Sequence, residues 1–192
     1  MKTIHRSHAL SHNHPSEILA RKDFSTPNLA LPAMKQALHP ESEQFVAVNH
    51  WEEPDPFLLS NIIIETIRML DGADGFITDQ IFEDGHHHIN LPFVSELSKI
   101  IGNRHFIAGP SFSRVPVFLQ SRLLDELVSH DVSGVMYDLR GQDPDDYRLL
   151  QPLAKLKIHA KKRIAIIPVV SDEQQKMALL ASIPFDVVCI SD

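Results

Sequence analysis

Residues 105–139, HFIAGPSFSRVPVFLQSRLLDELVSHDVSGVMYDL, contain one strand–helix–strand unit. The unit starts with the β-rich run HFIAG and ends with GVMYDL. Between these runs, Leu119, Leu123, Leu127 and Val128 recur at the spacing of one helical face. The glycine-containing turn HDVSGV leads out of the helix into the second strand, as such turns commonly do. This stretch therefore predicts one βα repeat of a parallel sheet.

The same alternation runs along the chain from Phe45 onward. Segments with apolar residues at helical spacing separate the β-rich runs. The runs start about thirty residues apart, closer only for the last, near Phe45, Phe76, His105, Gly134, Ile164 and Asp186. Six strands alternating with five helices predict an α/β domain whose mainly parallel sheet is covered by helices.

Two helix starts can be assigned to single residues. The segment INLP offers Asn90 as an N-cap with Pro92 just inside the helix, where a missing N–H does no harm. The segment SDEQ, residues 171–174, is an acidic helix start in which Asp172 acts as a cap.

Two architectures are compatible with such repeats: an open doubly wound sheet and an incomplete TIM-barrel-like sheet. A full eightfold barrel typically needs roughly 250 residues, and this chain has 192. Length therefore favours the open sheet, whereas the turns GADGF and VSGVMYD look like those that enter barrel strands. In both architectures, function is expected in the loops that follow the C-terminal ends of the strands.

The first 44 residues have a different composition from the rest. They contain five of the twelve histidines and four prolines, with only the short apolar patch NLALPAMKQAL. We interpret residues 1–44 as a polar, His-rich, mobile arm with one helix around residues 28–38. Residues 45–192 are predicted to form a single α/β domain.

Charge and cysteine content narrow the partners and the compartment. A formal net charge of -7 disfavours a nucleic-acid surface, which needs a basic stripe to neutralise phosphates. The single cysteine, Cys189, excludes an intrachain disulfide framework and is compatible with a reducing cytoplasm. Neither a secretory leader nor a transmembrane run is evident. We therefore expect a cytoplasmic protein with a small-molecule ligand and no nucleic-acid or membrane partner, and homo-oligomerisation stays open.

Several familiar catalytic motifs are missing from the sequence. The seven glycines form neither a GxGxxG fingerprint nor a P-loop, so a Rossmann or P-loop nucleotide site is not expected. A GxSxG elbow is also lacking, and the predicted strands carry no lysine for Schiff-base chemistry. The cofactor is therefore unknown, with a divalent metal as the one candidate.

Two predicted strand ends carry candidate catalytic residues. Asp138 and Arg140 have the same side-chain parity at the end of VMYDLRG. Their side chains would either form a structural salt bridge or jointly grip a ligand, with Arg140 binding an anionic group and Asp138 transferring a proton. His50 follows the first predicted strand, where an imidazole is suited to acid–base chemistry. Further substrate contacts are predicted at the same edge, from Asn49, Gln80, Ser111 and Arg114.

A histidine-rich stretch, FEDGHHHINLPF, joins the second predicted strand to its helix. In an extended loop His86 and His88 would point the same way and, with Asp84, could supply three ligands to zinc, iron or manganese. Three adjacent histidines also suit a hydrated loop, and no HExxH motif is present. The metal site is one alternative and the hydrated loop is the other.

Two functions follow from these features. The first is a cytoplasmic enzyme that acts on a small polar, anionic metabolite at the C-terminal ends of the strands. The second is a noncatalytic α/β module of barrel-like fold that senses a ligand or binds a protein partner. The missing nucleotide, nucleophile and metal motifs favour the second, since fold alone does not imply catalysis.

Overall fold

The computed structural model describes residues 2–5, 45–48, 56–70, 72–143 and 146–190. In these residues the main strands are β1 (Lys2–His5), β2 (Phe45–Ala47), β3 (Gly75–Thr78), β6 (His105–Ala108), β7 (Gly134–Asp138), β8 (Ala165–Val170) and β9 (Val187–Ile190). A small hairpin consists of β4 (Phe82–Glu83) and β5 (His88–Ile89). The helices are α1 (Pro56–Met69), α2 (Leu91–Ile101), α3 (Val117–Val128), α4 (Tyr147–Ala160) and α5 (Glu173–Ser182).

The seven main strands of the described residues form one parallel sheet in the order β1-β9-β8-β7-β6-β3-β2. From β2 to β9 each main strand therefore lies beside the next main strand along the chain. A doubly wound sheet instead reverses direction near its middle. The prediction of repeated βα units is confirmed, and the sheet is a curled, TIM-barrel-like half-barrel. Chain length favours the doubly wound order, but length carries no information about which strands become neighbours in the sheet.

The five described helices pack against one and the same face of the sheet. The larger buried cluster combines residues of all five helices with one side of the strands, for example Ile67, Leu97, Leu123, Leu153 and Leu179. A second cluster contains strand residues alone, namely Ile107, Met136, Ile167, Val169 and Cys189. Its members alternate with those of the first cluster, as side chains on a strand must. We call the face that carries the second cluster the inner face.

The N-terminal end of the inner face is tightly filled. Phe45, Gly75 and His105 pair in register as the first residues of three neighbouring strands. The rings of Phe45 and His105 lie 5.7 Å apart, and a Cβ added to Gly75 would stand 2.6 Å from the Phe45 ring. A side chain at Gly75 therefore has no room.

Both predicted helix caps are present. The side chain of Asn90 accepts a hydrogen bond from the Phe93 N–H at 3.0 Å, and that of Asp172 accepts one from the Gln175 N–H at 2.7 Å. Each bond satisfies one of the N–H groups that a helix start leaves without an intrahelical partner. At the far end of α2, Gly102 adopts a φ of 62°, which glycine tolerates better than other residues.

The six strands and five helices predicted for residues 45–192 are observed, together with two features that were not predicted. One is the β4–β5 hairpin. The other is β1, which pairs in parallel with β9, so residues 2–5 of the predicted arm belong to the sheet. Residues 6–44, including the helix predicted around residues 28–38, lie outside the described residues. None of the described helices is long and apolar enough to cross a membrane.

Candidate functional site

Polar side chains collect on the inner face where three neighbouring strands end. Asp79 directly follows β3, Gly109 follows β6, and Asp138 is the last residue of β7. Asp79 shares the parity of Ile77, and Asp138 shares that of Met136, so both carboxyl groups belong to the inner face. The C-terminal ends of the strands are where parallel α/β folds carry their ligand sites.

Asp79 is held rigidly in this position. Asp79 is only 7% exposed. Its Oδ1 accepts a hydrogen bond of 2.8 Å from the Ser111 N–H. A Cβ added to Gly109 would lie 2.5 Å from that same oxygen and 3.0 Å from the backbone nitrogen of Asp79. The carboxyl group therefore occupies the space that a side chain at position 109 would need.

The surroundings of Asp79 favour its neutral form. Burial raises the pKa of the Asp79 carboxyl, because an ionised group loses its hydration there. Hydrogen bonds from Ser111 and the positive charges of His86 and Arg114 lower the pKa in opposition, but burial outweighs them. Asp79 thus holds its proton to a higher pH than an exposed aspartate does.

Asp138 and Arg140 pair with each other, one of the two arrangements that the sequence predicts. Arg140 Nε donates to Asp138 Oδ1 at 2.9 Å, and Arg140 Nη2 donates to Asp138 Oδ2 at 2.8 Å. The Arg140 N–H also donates to Asp138 Oδ1, at 3.1 Å. The Arg140 side chain is 31% exposed and the Asp138 side chain is 30% exposed. The pair therefore remains within reach of a molecule that arrives from solvent.

The pKa of Asp138 moves in the opposite direction to that of Asp79. Partial burial would raise the pKa of Asp138, but the hydrogen bonds and charge of Arg140, with the charge of Arg114, outweigh it and the pKa is lowered. Asp138 is therefore a carboxylate at neutral pH. The charge of Asp79 also acts on Arg140. The cluster of interacting charged groups at this edge therefore consists of Asp79, Asp138, Arg114 and Arg140.

The turn that carries Arg140 is tied to the start of α5 by Gln175. Its Nε2 donates to the carbonyl oxygens of Leu139 and Gln142, both at 2.8 Å, and its Oε1 accepts from the Ser171 N–H at 2.7 Å. One amide side chain thus links the loop after β7 to the loop after β8. This link holds the backbone on either side of Arg140.

Replacing Gln175 with alanine is expected to lower the free energy of unfolding by about 1–3 kcal/mol, because three hydrogen bonds are lost and their backbone partners keep fewer bonds. The neighbouring Gln174 is exposed, so Gln174→Ala should stay within about 0.5 kcal/mol of the wild type. Urea denaturation of both variants measures the difference. Equal effects at the two positions would show that Gln175 does not link the loops.

The other predicted contact residues are distributed around this cluster. Ser111 is buried, with its N–H donated to Asp79. Arg114 is exposed at the end of a short 3-10 turn, Phe112–Arg114, and acts electrostatically on both carboxyl groups. Gln80 is half-buried in the turn that follows Asp79. The remaining two predicted residues, Asn49 and His50, lie outside the described residues.

The predicted metal ligands do not come together in the described residues. His86 and His88 were expected to point the same way in an extended loop, but Asp84, Gly85 and His86 have φ values of 48°, 64° and 73°. This turn breaks the side-chain alternation on which that expectation rests. The His86 ring packs 5.6 Å from the Phe82 ring, and no group of three or more His, Cys, Asp or Glu side chains is placed to hold a metal ion within the described ranges.

Sequence reasoning missed Asp79 as a site residue. A signal for it was nevertheless present, because the runs FITD and VMYD each end an apolar strand with an aspartate of inward parity. Asp138 was selected because Arg140 follows two residues later, whereas the partners of Asp79 come from another loop. Such a partnership becomes visible only when β3 and β6 are known to be neighbours.

No protein-family model matches the chain, and no curated protein matches it significantly. Solved structures do match. CutC from Streptococcus agalactiae, a protein named for copper homeostasis, superimposes with a TM-score of 0.66 at 16% identity, over 83% of this chain and 78% of CutC. An aldolase called QR15 gives a TM-score of 0.58 at 10% identity, over 98% of this chain and 88% of the aldolase.

A third match, the tetrameric deoxyribose phosphate aldolase from Aeropyrum pernix, has a TM-score of 0.51 at 9% identity and covers 82% of this chain and 65% of that enzyme. Identities this low establish shared architecture and nothing about the reaction. The chain accordingly has a TIM-barrel-like α/β fold that it shares with aldolases and CutC.

Proposed function

We propose that this protein is a cytoplasmic enzyme that acts on a small, polar, anionic metabolite at the C-terminal ends of its strands. The observation that carries the proposal is the cluster of Asp79, Asp138, Arg114 and Arg140 at that edge. It combines a buried carboxyl group of raised pKa with a carboxylate of lowered pKa. Pairs of titratable groups whose pKa values are pushed apart are typical of acid–base sites.

Arg140 and Arg114 would hold the anionic group of the metabolite. Arg140 uses two of its donors on Asp138, which orients the planar guanidinium group before a ligand arrives. Arg114 is exposed and lies within electrostatic reach of both carboxyl groups. A fixed guanidinium group binds carboxylate or phosphate oxygens with defined geometry.

Asp138, Asn49 and His50 keep the roles that the sequence predicts for them. Asp138 stays ionised next to Arg140 and would act as a base or stabilise positive charge on the metabolite. His50 and Asn49 would add an acid–base group and an amide contact from the loop after β2. Gln80 and Ser111 would line the same edge.

The alternative is a noncatalytic module that senses a ligand or binds a partner. The mutual pairing of Asp138 and Arg140 favours it, because two side chains that satisfy each other need no substrate to explain them. Both functions require ligand binding at the cluster, and only the enzyme converts what it binds. Product formation from any compound that binds therefore separates them.

The proposal is tested by thermal stabilisation with sulfate, malonate and a panel of small phosphorylated metabolites. A compound present at 100 times its Kd should raise the free energy of unfolding of the wild type by about 2.7 kcal/mol. The same compound should stabilise Arg140→Ala and Arg114→Ala far less, each compared with its own unliganded baseline. Compounds that bind are then incubated with the protein and analysed for products by NMR.

Arg122→Ala is the matched control for these variants. Arg122 is an exposed residue of α3 that pairs with Glu126 at 3.5 Å, away from the strand ends. The Arg122→Ala variant should therefore bind the stabilising compound as the wild type does. If no compound stabilises the wild type, or if the two site variants respond as strongly as Arg122→Ala, the proposed site is rejected.

A further inference from the structure

Asp79 lies in the proposed site, but the proposed anion binding by Arg140 and Arg114 assigns no role to its carboxyl group. The residue is fixed from two directions, by the Ser111 N–H and by the backbone at Gly109. Strand β6, which carries Gly109, separates β3 from β7. Because position 109 has no side chain, the Asp79 carboxyl group packs directly against the backbone at the end of β6.

We infer that Asp79 is the proton-transfer group of this site, exchanging a proton with the molecule whose anionic group Arg140 and Arg114 hold. The inference rests on the proposed function, since it needs a molecule bound at the cluster. It adds a residue that the sequence did not single out and separates two roles. Asp79 takes over the proton transfer that the sequence predicts for Asp138, and Asp138 stays charged and orients Arg140.

The chemistry of the step is a simple proton exchange. The carboxyl group of Asp79 gives its proton to an oxygen or nitrogen atom of the bound molecule and becomes a carboxylate. The Ser111 N–H, which already donates to Oδ1 at 2.8 Å, stabilises the negative charge left behind. The reverse transfer returns the proton to Asp79, so no other reactant is consumed.

The charged groups around Asp79 fit this role. His86 in the β4–β5 turn and Arg114 in the 3-10 turn act electrostatically on Asp79. Asp79 in turn acts on Arg140, which pairs with Asp138 at the end of β7. Burial raises the pKa of Asp79 despite the positive groups, whereas Arg140 keeps the pKa of Asp138 low. One carboxyl group is therefore able to donate a proton under conditions in which the other remains ionised.

The affinity of the site for an anion should depend on the charge of Asp79. When Asp79 loses its proton, a negative charge appears near Arg114 and opposes any anion bound there. The affinity for an anion should therefore fall as the pH rises through the pKa of Asp79. A purely structural Asp79 that never changes its charge would leave anion affinity unaffected.

The experiment measures the dissociation constant of sulfate from pH 5 to pH 9, a range of about four units in which sulfate keeps its charge. In the wild type the dissociation constant should rise at least about threefold more than it does in Asp79→Asn. Asp125→Asn, which removes an exposed carboxylate of α3 paired with Arg163, should follow the wild type.

A second measurement does not depend on the variant. The 13C NMR signal of the Asp79 carboxyl carbon, followed in the wild type, should titrate above the ordinary range of an aspartate. Titration at or below that range overturns the inference, as does sulfate binding with the same pH dependence in the wild type and in Asp79→Asn. Both of these results leave the anion site intact, whereas failure of sulfate to bind the wild type at any pH rejects the proposed function and the inference together.

Discussion

Replacing Phe112 with alanine is expected to lower the free energy of unfolding by about 3–5 kcal/mol, the usual cost of deleting a fully buried aromatic ring. Phe112 has no exposed surface, and its ring lies 6.2 Å from that of Phe82. It sits between Ser111 and Arg114 in the 3-10 turn. Loss of the ring should therefore loosen the segment that holds Asp79 as well as the core.

Phe118→Ala is the matched control, since it makes the same chemical change six residues away. Phe118 is 81% exposed, so its removal should alter stability by less than about 0.5 kcal/mol. Guanidinium denaturation of both variants gives the comparison. A loss below about 1 kcal/mol for Phe112→Ala would contradict the burial of this ring.

Gly109→Ala should cost about 1–3 kcal/mol, the range seen when an atom is forced into a packed site. Gly109 does not adopt a positive φ, so the cost comes from the contact of the new Cβ with Asp79. Gly134→Ala is a milder control, because its Cβ would meet the end methyl group of Ile167 at 3.1 Å, which can rotate away. Its expected loss is below about 1 kcal/mol.

A double-mutant cycle identifies what the new Cβ touches. If the Asp79 carboxyl group is the obstacle, Gly109→Ala should cost at least about 0.5 kcal/mol less in an Asp79→Ala background than in the wild type. The rescue should be partial, since the Asp79 backbone nitrogen is also only 3.0 Å from the added atom. Additive losses would mean that the carboxyl group lies elsewhere.

The repeat of strands and helices could be predicted because its signals are local. Apolar periodicity marks α3, and capping residues such as Asn90 and Asp172 mark helix starts within a few residues of chain. The winding of the sheet could not be predicted this way, because it depends on which strands become neighbours. The four residues of β1 give no local signal either, and only their partner β9 makes them a strand.

The candidate site could likewise be predicted only where its residues lie close together along the chain. Asp138 and Arg140 lie two residues apart, so their parity and chemistry suggested a pair, and the structure places them in contact. The partners of Asp79 come from a loop 32 residues away, which no local pattern reveals. For His86 and His88 the assumption of an extended loop failed, because positive φ values at Asp84 and His86 turn the backbone.

The pairing of β1 with β9 also sets an order of events during folding. Residues 2–5 pair with residues 187–190, which lie far away along the chain. Each main strand from β3 to β9 pairs with the main strand before it, whereas β1 pairs with β9, the most distant of the described strands along the chain. Closing so long a loop has a high entropic cost and is slow, so β1 is expected to join the sheet after the strands that pair with their neighbours along the chain.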